Sequence, residues 1–184
     1  MSAGLAPFDV TLRDGRTVHV RNVGAADEAE ILQAFHRMGD DARFMRFMGF
    51  VREPNLARLR KVLASFPAGG EGIVATVPAA DGIDIAGSAT YLVGADPAQC
   101  EFSITVAGSY TGVGLARVLM STLIAAAKQR GLREMEGFVL AANQPMLRLA
   151  TRLGFSIVPD PDDRSVRLCR LRLTDEQPSA AAAP

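Results

Sequence analysis

Between residues 71 and 108 the chain has room only for strands. Three β-like runs, EGIVATV (71–77), IDIAGSATYLVG (83–94) and CEFSITVAG (100–108), follow one another across short gaps. Strands joined so tightly pair antiparallel, because a parallel partner needs a crossover of a dozen residues or more. A helical run over 112–130 comes next, and then another strand, EMEGFVLA (134–141). Strand, helix and strand in that order make a parallel crossover between 100–106 and 134–141. The expected fold is therefore mixed α/β: one central, mostly antiparallel sheet with helices on both faces.

The rest of the chain extends that sheet. Residues 10–21, VTLRDGRTVHVR, read as two short strand arms about the turn Asp14-Gly15, with His19 on the polar face. Residues 26–38 read as a helix: Asp27, Glu28 and Glu30 suit its positive end and Gly39 its exit. Its apolar stripe is Ile31, Leu32, Phe35 and Met38, flanked by His36. Two more helices are expected over 40–48 and 53–66, another over 144–153, and strands near 155–158 and 165–173. Residues 10–174 form a single domain, between a flexible N-terminal segment, 1–9, and a flexible Ala- and Pro-rich tail, 175–184. A chain of 184 residues is the size of one such domain.

Composition removes several functions. Lys plus Arg and Asp plus Glu are both 20, and a zero balance argues against a nucleic-acid binder. No apolar run is long enough to span a bilayer, and the N-terminus has no signal-peptide pattern. Cys100 and Cys169 stand far apart in strand-like runs, which fits reduced thiols and a cytoplasmic setting. With two histidines and no H-x-x-H or C-x-x-C pair, no metal site is expected.

The chemistry concentrates in residues 106–131, VAGSYTGVGLARVLMSTLIAAAKQRG, where a strand passes through a glycine-rich turn into a helix. Gly112 and Gly114 permit tight backbone geometry, and the amides of Val113 to Arg117 lie unpaired at the helix start. Such amides, with the helix dipole, favour a phosphate or pyrophosphate, and Arg117 offers a charge. A plain turn that happens to hold two glycines explains this segment equally well. The Gly-Lys-Ser/Thr of a P-loop is absent. A dinucleotide fingerprint would need a third glycine where Arg117 stands. Glu134 or Glu136 has the spacing of its ribose acid, but antiparallel-looking strands precede the turn. In the strand before it, Cys100, Phe102, Ile104 and Val106 alternate with Gln99, Glu101, Ser103 and Thr105. A polar side on a central strand favours a cleft over an edge strand's solvated face, and Glu101 is the only acid on it.

These residues resemble the GNAT superfamily of acyl-CoA-dependent N-acyltransferases. Thr111-Gly112-Val113-Gly114-Leu115-Ala116 matches all but the first position of the family's Q/R-x-x-G-x-G/A turn. The stretch from Asn143 to Gly154-Phe155 resembles its following helix and closing Gly-Phe, and the likeness spans about residues 10–174. Within the superfamily, RDGRTVHVR, DDARFMRFM, CEFSITV and NQPMLRLATRLGF look like the bacterial Pat-type protein lysine acetyltransferases. No acyl-CoA synthetase-like module and no obvious cyclic-nucleotide domain accompanies them here.

The resemblance implies acetyl-CoA as co-substrate, with no metal. It lays the pantetheine arm along Ile104, Thr105 and Val106 and the pyrophosphate on the amides of Gly112, Val113, Gly114, Leu115, Ala116 and Arg117. Asn143 becomes a further cofactor contact, and Glu101 stands where Pat-type enzymes carry their general base. Thr111, also in the cofactor loop, replaces the usual Gln or Arg, and Val113 replaces a frequent basic residue. Ala150 stands where many relatives place a proton-donating Tyr.

An amine arrives charged, with a pKa of about 10.4, and must lose a proton before it attacks a thioester. Glu101 would accept that proton, directly or through water, with burial tuning its affinity. Cys100, on the opposite face, reads as core rather than nucleophile. Asp40 and Asp41 read equally as an acceptor rim or as a helix cap and a solvated residue. Arg43 and Arg46, beside Phe44 and Phe47, read as packing residues ahead of substrate contacts. The expected function is acetyl transfer to a protein lysine or a small-molecule amine. Its partners would be that acceptor and at most a second copy in a homodimer, not nucleic acid or membrane. The alternative is a non-catalytic acyl-CoA-binding regulatory or sensing domain; a nucleotide-binding oxidoreductase fragment ranks last.

Overall fold

A computed structural model describes residues 4–174. Eight strands form one sheet: β1 (Phe8–Thr11), β2 (Thr17–Asn22), β3 (Gly70–Ala79), β4 (Gly82–Val93), β5 (Gln99–Val106), β6 (Glu134–Leu140), β7 (Ser156–Pro159) and β8 (Val166–Arg172). The helices are α1 (Glu28–Arg37), α2 (Asp40–Phe47), α3 (Leu56–Ser65), α4 (Leu115–Gln129) and α5 (Gln144–Arg152). Strand order is β1-β2-β3-β4-β5-β6-β8-β7, and every pair is antiparallel except β5–β6. This is the mixed sheet that the spacing of strand and helix runs predicts.

Most element ends shift by a few residues from the sequence expectation, and two of the shifts bear on the site. β1 begins at Phe8, which pairs with Val20, so Phe8 and Asp9 belong to the sheet and Leu5 packs against the core. The expected tail, 175–184, lies outside the described residues. α4 starts at Leu115 and not at 112, because Gly112 (φ 76°) and Gly114 (φ 97°) adopt left-handed backbone that a helix cannot include.

α4 covers one face of the sheet. Leu115, Leu119, Leu123 and Ala127 recur every four residues and are fully buried, together with Met120. They meet Val18, Val20, Ile73, Ala75, Ala89 and Tyr91 in one core. Each large side chain buried there contributes roughly 1.5–3 kcal/mol. Cys100 and Cys169 are free thiols in the same core, and burial pushes the Cys100 thiol up to about 12. A thiol held protonated is no nucleophile, which agrees with reading Cys100 as core. The opposite face carries α1, against β4, and α2, against β5. Asn55 caps α3, its Oδ1 accepting the Arg58 amide at 2.9 Å.

The feature that positions the site is a split in this sheet. β5 and β6 pair only at Gln99↔Glu134, Cys100↔Met135 and Glu101↔Glu136. Beyond Glu101, β5 continues to Val106 and β6 to Leu140 with no pairing between them. The Phe102 ring occupies the base of the gap. It lies over Gly137, where an added Cβ would stand 2.4 Å from Cε1, and packs edge-on against Phe155 at 5.3 Å.

Gly137→Ala must displace that ring and is expected to destabilise the protein by about 1–3 kcal/mol, the range for core overpacking. Thermal unfolding measures it: a melting temperature several degrees lower, partly restored by adding Phe102→Leu. An unchanged melting temperature would mean that the ring swings aside freely.

Candidate functional site

The split leaves strand edges without strand partners. The Ala107 amide donates to the Ala86 carbonyl of β4 at 2.9 Å. Alternate residues of an antiparallel ladder face the same way, so Thr105 and Ser103 also turn their backbone groups to β4. Ile104 and Val106 therefore aim theirs at the side where β6 has departed. The resulting cleft has a volume of about 600 Å³ and runs from Glu101 along β5 to the glycine loop, with Phe138, Asn143 and Met146 on its far wall. An extended chain of amides can lie there as a third strand would.

At the end of β5 the backbone turns through a short 3-10 segment, Gly108–Tyr110, into the loop before α4. No amide from Gly112 to Arg117 reaches an acceptor among the described residues. Gly114 occupies the helix cap without a side-chain bond, so these donors and the α4 dipole face outward together. A Cβ added at Gly112 would meet nothing within 4 Å, so its open side is available to a ligand. Thr111 donates its hydroxyl to the Gly108 carbonyl at 2.8 Å, so that proton serves the turn. Leu115 is wholly buried and Val113 packs against the core, so these two residues can offer only backbone to a ligand.

The β1–β2 turn clamps this loop. The Arg13 amide donates to the Val113 carbonyl at 3.1 Å, and Arg16 donates to the Ser109 carbonyl at 2.6 Å. The Arg16 guanidinium also lies 3.8 Å from the Tyr110 ring centroid and bonds Asp14 at 2.6 Å. The Arg13 side chain lines the cleft beside Gly114, with Nε 3.6 Å from the position of an added Cβ. Arg13 and the exposed Arg117 thus bring two cations to the mouth of the amide nest.

The other end of the cleft is built by β5 and α2. Glu101 lines it and is exposed, so the burial expected to tune it is missing: β6 pairs no further than Glu136, and water reaches the carboxylate. Arg46 crosses from α2, its Nε donating to Thr105 Oγ1 at 3.0 Å and its Nη2 to Ser103 Oγ at 2.9 Å. Ser103 Oγ also meets Thr90 Oγ1 at 2.9 Å. Asp40 and Asp41 are exposed in the first turn of α2, which Gly39 caps, and neither lines the cleft. Arg43 packs over the Phe35 ring, 5.0 Å from its centroid. Asn143 caps α5, its Oδ1 accepting the Met146 amide at 3.3 Å, and lines the cleft with amide donors that meet no acceptor among the described residues. Ala150 is fully buried, so that helix position has no proton donor.

Of the residues marked from sequence, Glu101, Ile104, Thr105, Val106, Thr111, Gly112, Gly114, Ala116, Arg117 and Asn143 line this one cleft. Val113 and Leu115 belong to the same loop with side chains turned inward. Sequence reasoning missed Arg13, Met38, Ala42 and Met45 as lining residues. Ala42 and Met45, three apart on α2, had helical spacing as a usable signal; Met38, in the extended link between α1 and α2, and Arg13, whose place depends on the hairpin folding back onto a distant loop, had none.

Comparisons with known proteins identify the family and agree with the fold. Residues 18–156 match the family model described as Acetyltransferase (GNAT) domain. An acetyltransferase of Pseudomonas aeruginosa is 33% identical over 163 residues, covering 89% of this chain and 88% of that protein. In fold, the chain is similar to the GNAT domain of S. lividans PAT, with a TM-score of 0.81 at 21% identity over 90% of this chain and 96% of that one. It is also similar to yncA of Salmonella typhimurium, solved with its cofactor acetyl-CoA (TM-score 0.65, 22% identity, 91% and 97% covered). The matched residues include the split strands, the glycine loop and α4, and the chain belongs to the GNAT acetyltransferase family.

Proposed function

We propose that this protein transfers an acetyl group from acetyl-CoA directly to a primary amine, on a protein lysine or a small molecule. The observation that carries the proposal is the pairing of an unfilled strand edge at Ile104 and Val106 with the outward amides of Gly112 to Arg117. A peptide-like arm ending in a pyrophosphate fits that pair: the strand edge takes its amides and the helix start its charge. Arg13 and Arg117 would hold the phosphates from either side, and Asn143 would offer its free amide donors. The departures at Thr111 and Val113 do not favour the sensing alternative, because the hairpin supplies the cation that the loop itself lacks.

Acetyl-CoA, when bound, supplies an activated acyl carbon and a thiolate that leaves readily. The protein's part is to place the amine and take its proton. Glu101 lines the cleft, exposed to solvent, where β5 and β6 part, and would accept the proton that the ammonium group must lose. Because the carboxylate is exposed, a water relay between amine and carboxylate fits better than a sealed contact.

Binding of acetyl-CoA, measured by calorimetry, and thiol release with a panel of amines test this directly. Gly112→Ala adds a methyl to the open side of the nest and strains a left-handed residue by about 1–2 kcal/mol. It should lower acetyl-CoA affinity tenfold or more in a protein that still folds. Arg13→Ala should weaken acetyl-CoA and leave binding of acetyl-pantetheine, which lacks the nucleotide phosphates, as in the wild type. A protein that does not bind acetyl-CoA would end the proposal. One that binds it yet releases no thiol with any amine would favour the sensing domain.

Glu101→Gln keeps the shape of the side chain and removes the proton acceptor. Turnover should fall by roughly 10²–10⁴-fold, the usual range for a positioned base. Raising the pH should recover part of it, since more amine then arrives neutral. A pH–rate profile of both proteins at saturating acceptor measures this; full activity of the variant near pH 7 would make Glu101 structural.

A further inference from the structure

The cleft is lined by four guanidinium groups, Arg13, Arg46, Arg117 and Arg152, and by one carboxylate, Glu101. Arg13 and Arg117 stand at the amide nest, where the cofactor phosphates account for them. Arg46 does not. It lies over the middle of β5, bonded only to the hydroxyls of Ser103 and Thr105, and no carboxylate comes within ion-pair distance among the described residues. Desolvation and the nearby charge of Arg58 hold this guanidinium below the usual arginine range, with Glu101 pulling weakly the other way. It nevertheless remains a cation. A partly buried, unneutralised charge facing a cleft is an arrangement that an arriving anion stabilises.

The geometry of its bonds narrows the anion. Nε and one hydrogen of Nη2 are engaged with β5, which leaves the Nη1–Nη2 edge free. Two parallel N–H groups on that edge match the two oxygens of a carboxylate. Ser103 lies two residues along the same face from Glu101, a separation of roughly 7 Å at the strand rise. An anion site and a proton-accepting carboxylate therefore stand side by side on one strand face.

We propose that the acceptor is an amine that carries a carboxylate, with Arg46 receiving the carboxylate and Glu101 facing the amine. This rests on the acetyltransferase reading above and specifies its substrate class. Two sources present that chemistry: a free amino acid, or a lysine beside an acidic residue in a peptide. The test uses matched acceptors at saturating acetyl-CoA: amino acids against their carboxamides, and lysine peptides with Asp or Glu neighbours against the same peptides with Asn or Gln. The wild type should favour the carboxylate member of at least one set by about tenfold or more in kcat/KM, the least expected of a hydrogen bond to a charged group. The set that shows the preference identifies the source. In Arg46→Gln that ratio should fall to near one, chiefly through KM of the carboxylate member, and Arg46→Lys should retain part of it. Wild-type ratios near one in both sets would overturn the inference while thiol release leaves the acetyltransferase reading standing. So would an Arg46→Gln protein that keeps the ratio, or one whose loss is matched by weaker acetyl-CoA binding, since Arg46 would then serve the cofactor. Absence of thiol release with every acceptor would overturn both.

Discussion

The cleft of this protein depends on two neighbouring strands ceasing to pair. β5 and β6 share three register positions and then separate, although both run on for several residues. Backbone groups without partners are unfavourable when buried, so a sheet opens in its middle only where something else can occupy the gap. At the closed end a side chain does so: the Phe102 ring lies over Gly137 and against Phe155. At the open end, Ile104 and Val106 are left facing a cleft. On the proposed reading the ligand completes the sheet, and an extended arm carrying amides is what fits such an edge.

The glycine loop extends the same logic. Gly112 and Gly114 adopt left-handed backbone, and none of the six successive amides from Gly112 to Arg117 finds an acceptor among the described residues. Such a loop has little to hold its own shape. The hairpin turn provides that support, through the Arg13 amide on Val113 and through Arg16 on Ser109 and Tyr110. The N-terminal hairpin therefore helps to build the cleft, and the same turn that fixes the loop brings Arg13 to its lining.

Much of this was legible in the sequence, for local reasons. Alternation marked β3, β4 and β5, and the missing helix between them dictated antiparallel pairing. The glycine spacing at 112 and 114 marked the loop, but periodicity carried the helix back to 112 since an apolar pattern does not report a positive φ. The start of β1 at Phe8 is not marked by the sequence, because four residues are too few for alternation to show before the turn. Glu101 was identified by face, yet its exposure depends on how far β6 follows β5, which no pattern in either strand encodes. Arg13 and Arg46 act through contacts with residues distant in the chain, so their neighbours in sequence say nothing of their role.

The charge balance carries a related lesson. A formal charge of zero over the whole chain conceals an uneven distribution of charge in the cleft. Many of the acids are engaged elsewhere: Asp27 accepts Arg21 and the Gly24 amide, Glu28 accepts Arg60, and Asp84 accepts Arg37. What remains in the cleft is a row of guanidinium groups with Glu101 as the one acid among them. Low-dielectric walls strengthen the field of such a row, so it draws polyanionic ligands toward the loop. The single carboxylate sits at the far end, where it opposes that field and favours an ammonium group. On the proposed reading, Glu101 faces the ammonium group while the neighbouring Arg46 takes the acceptor's carboxylate, so the acceptor end sorts its ligand by two adjacent charges of opposite sign and the loop end by cations alone.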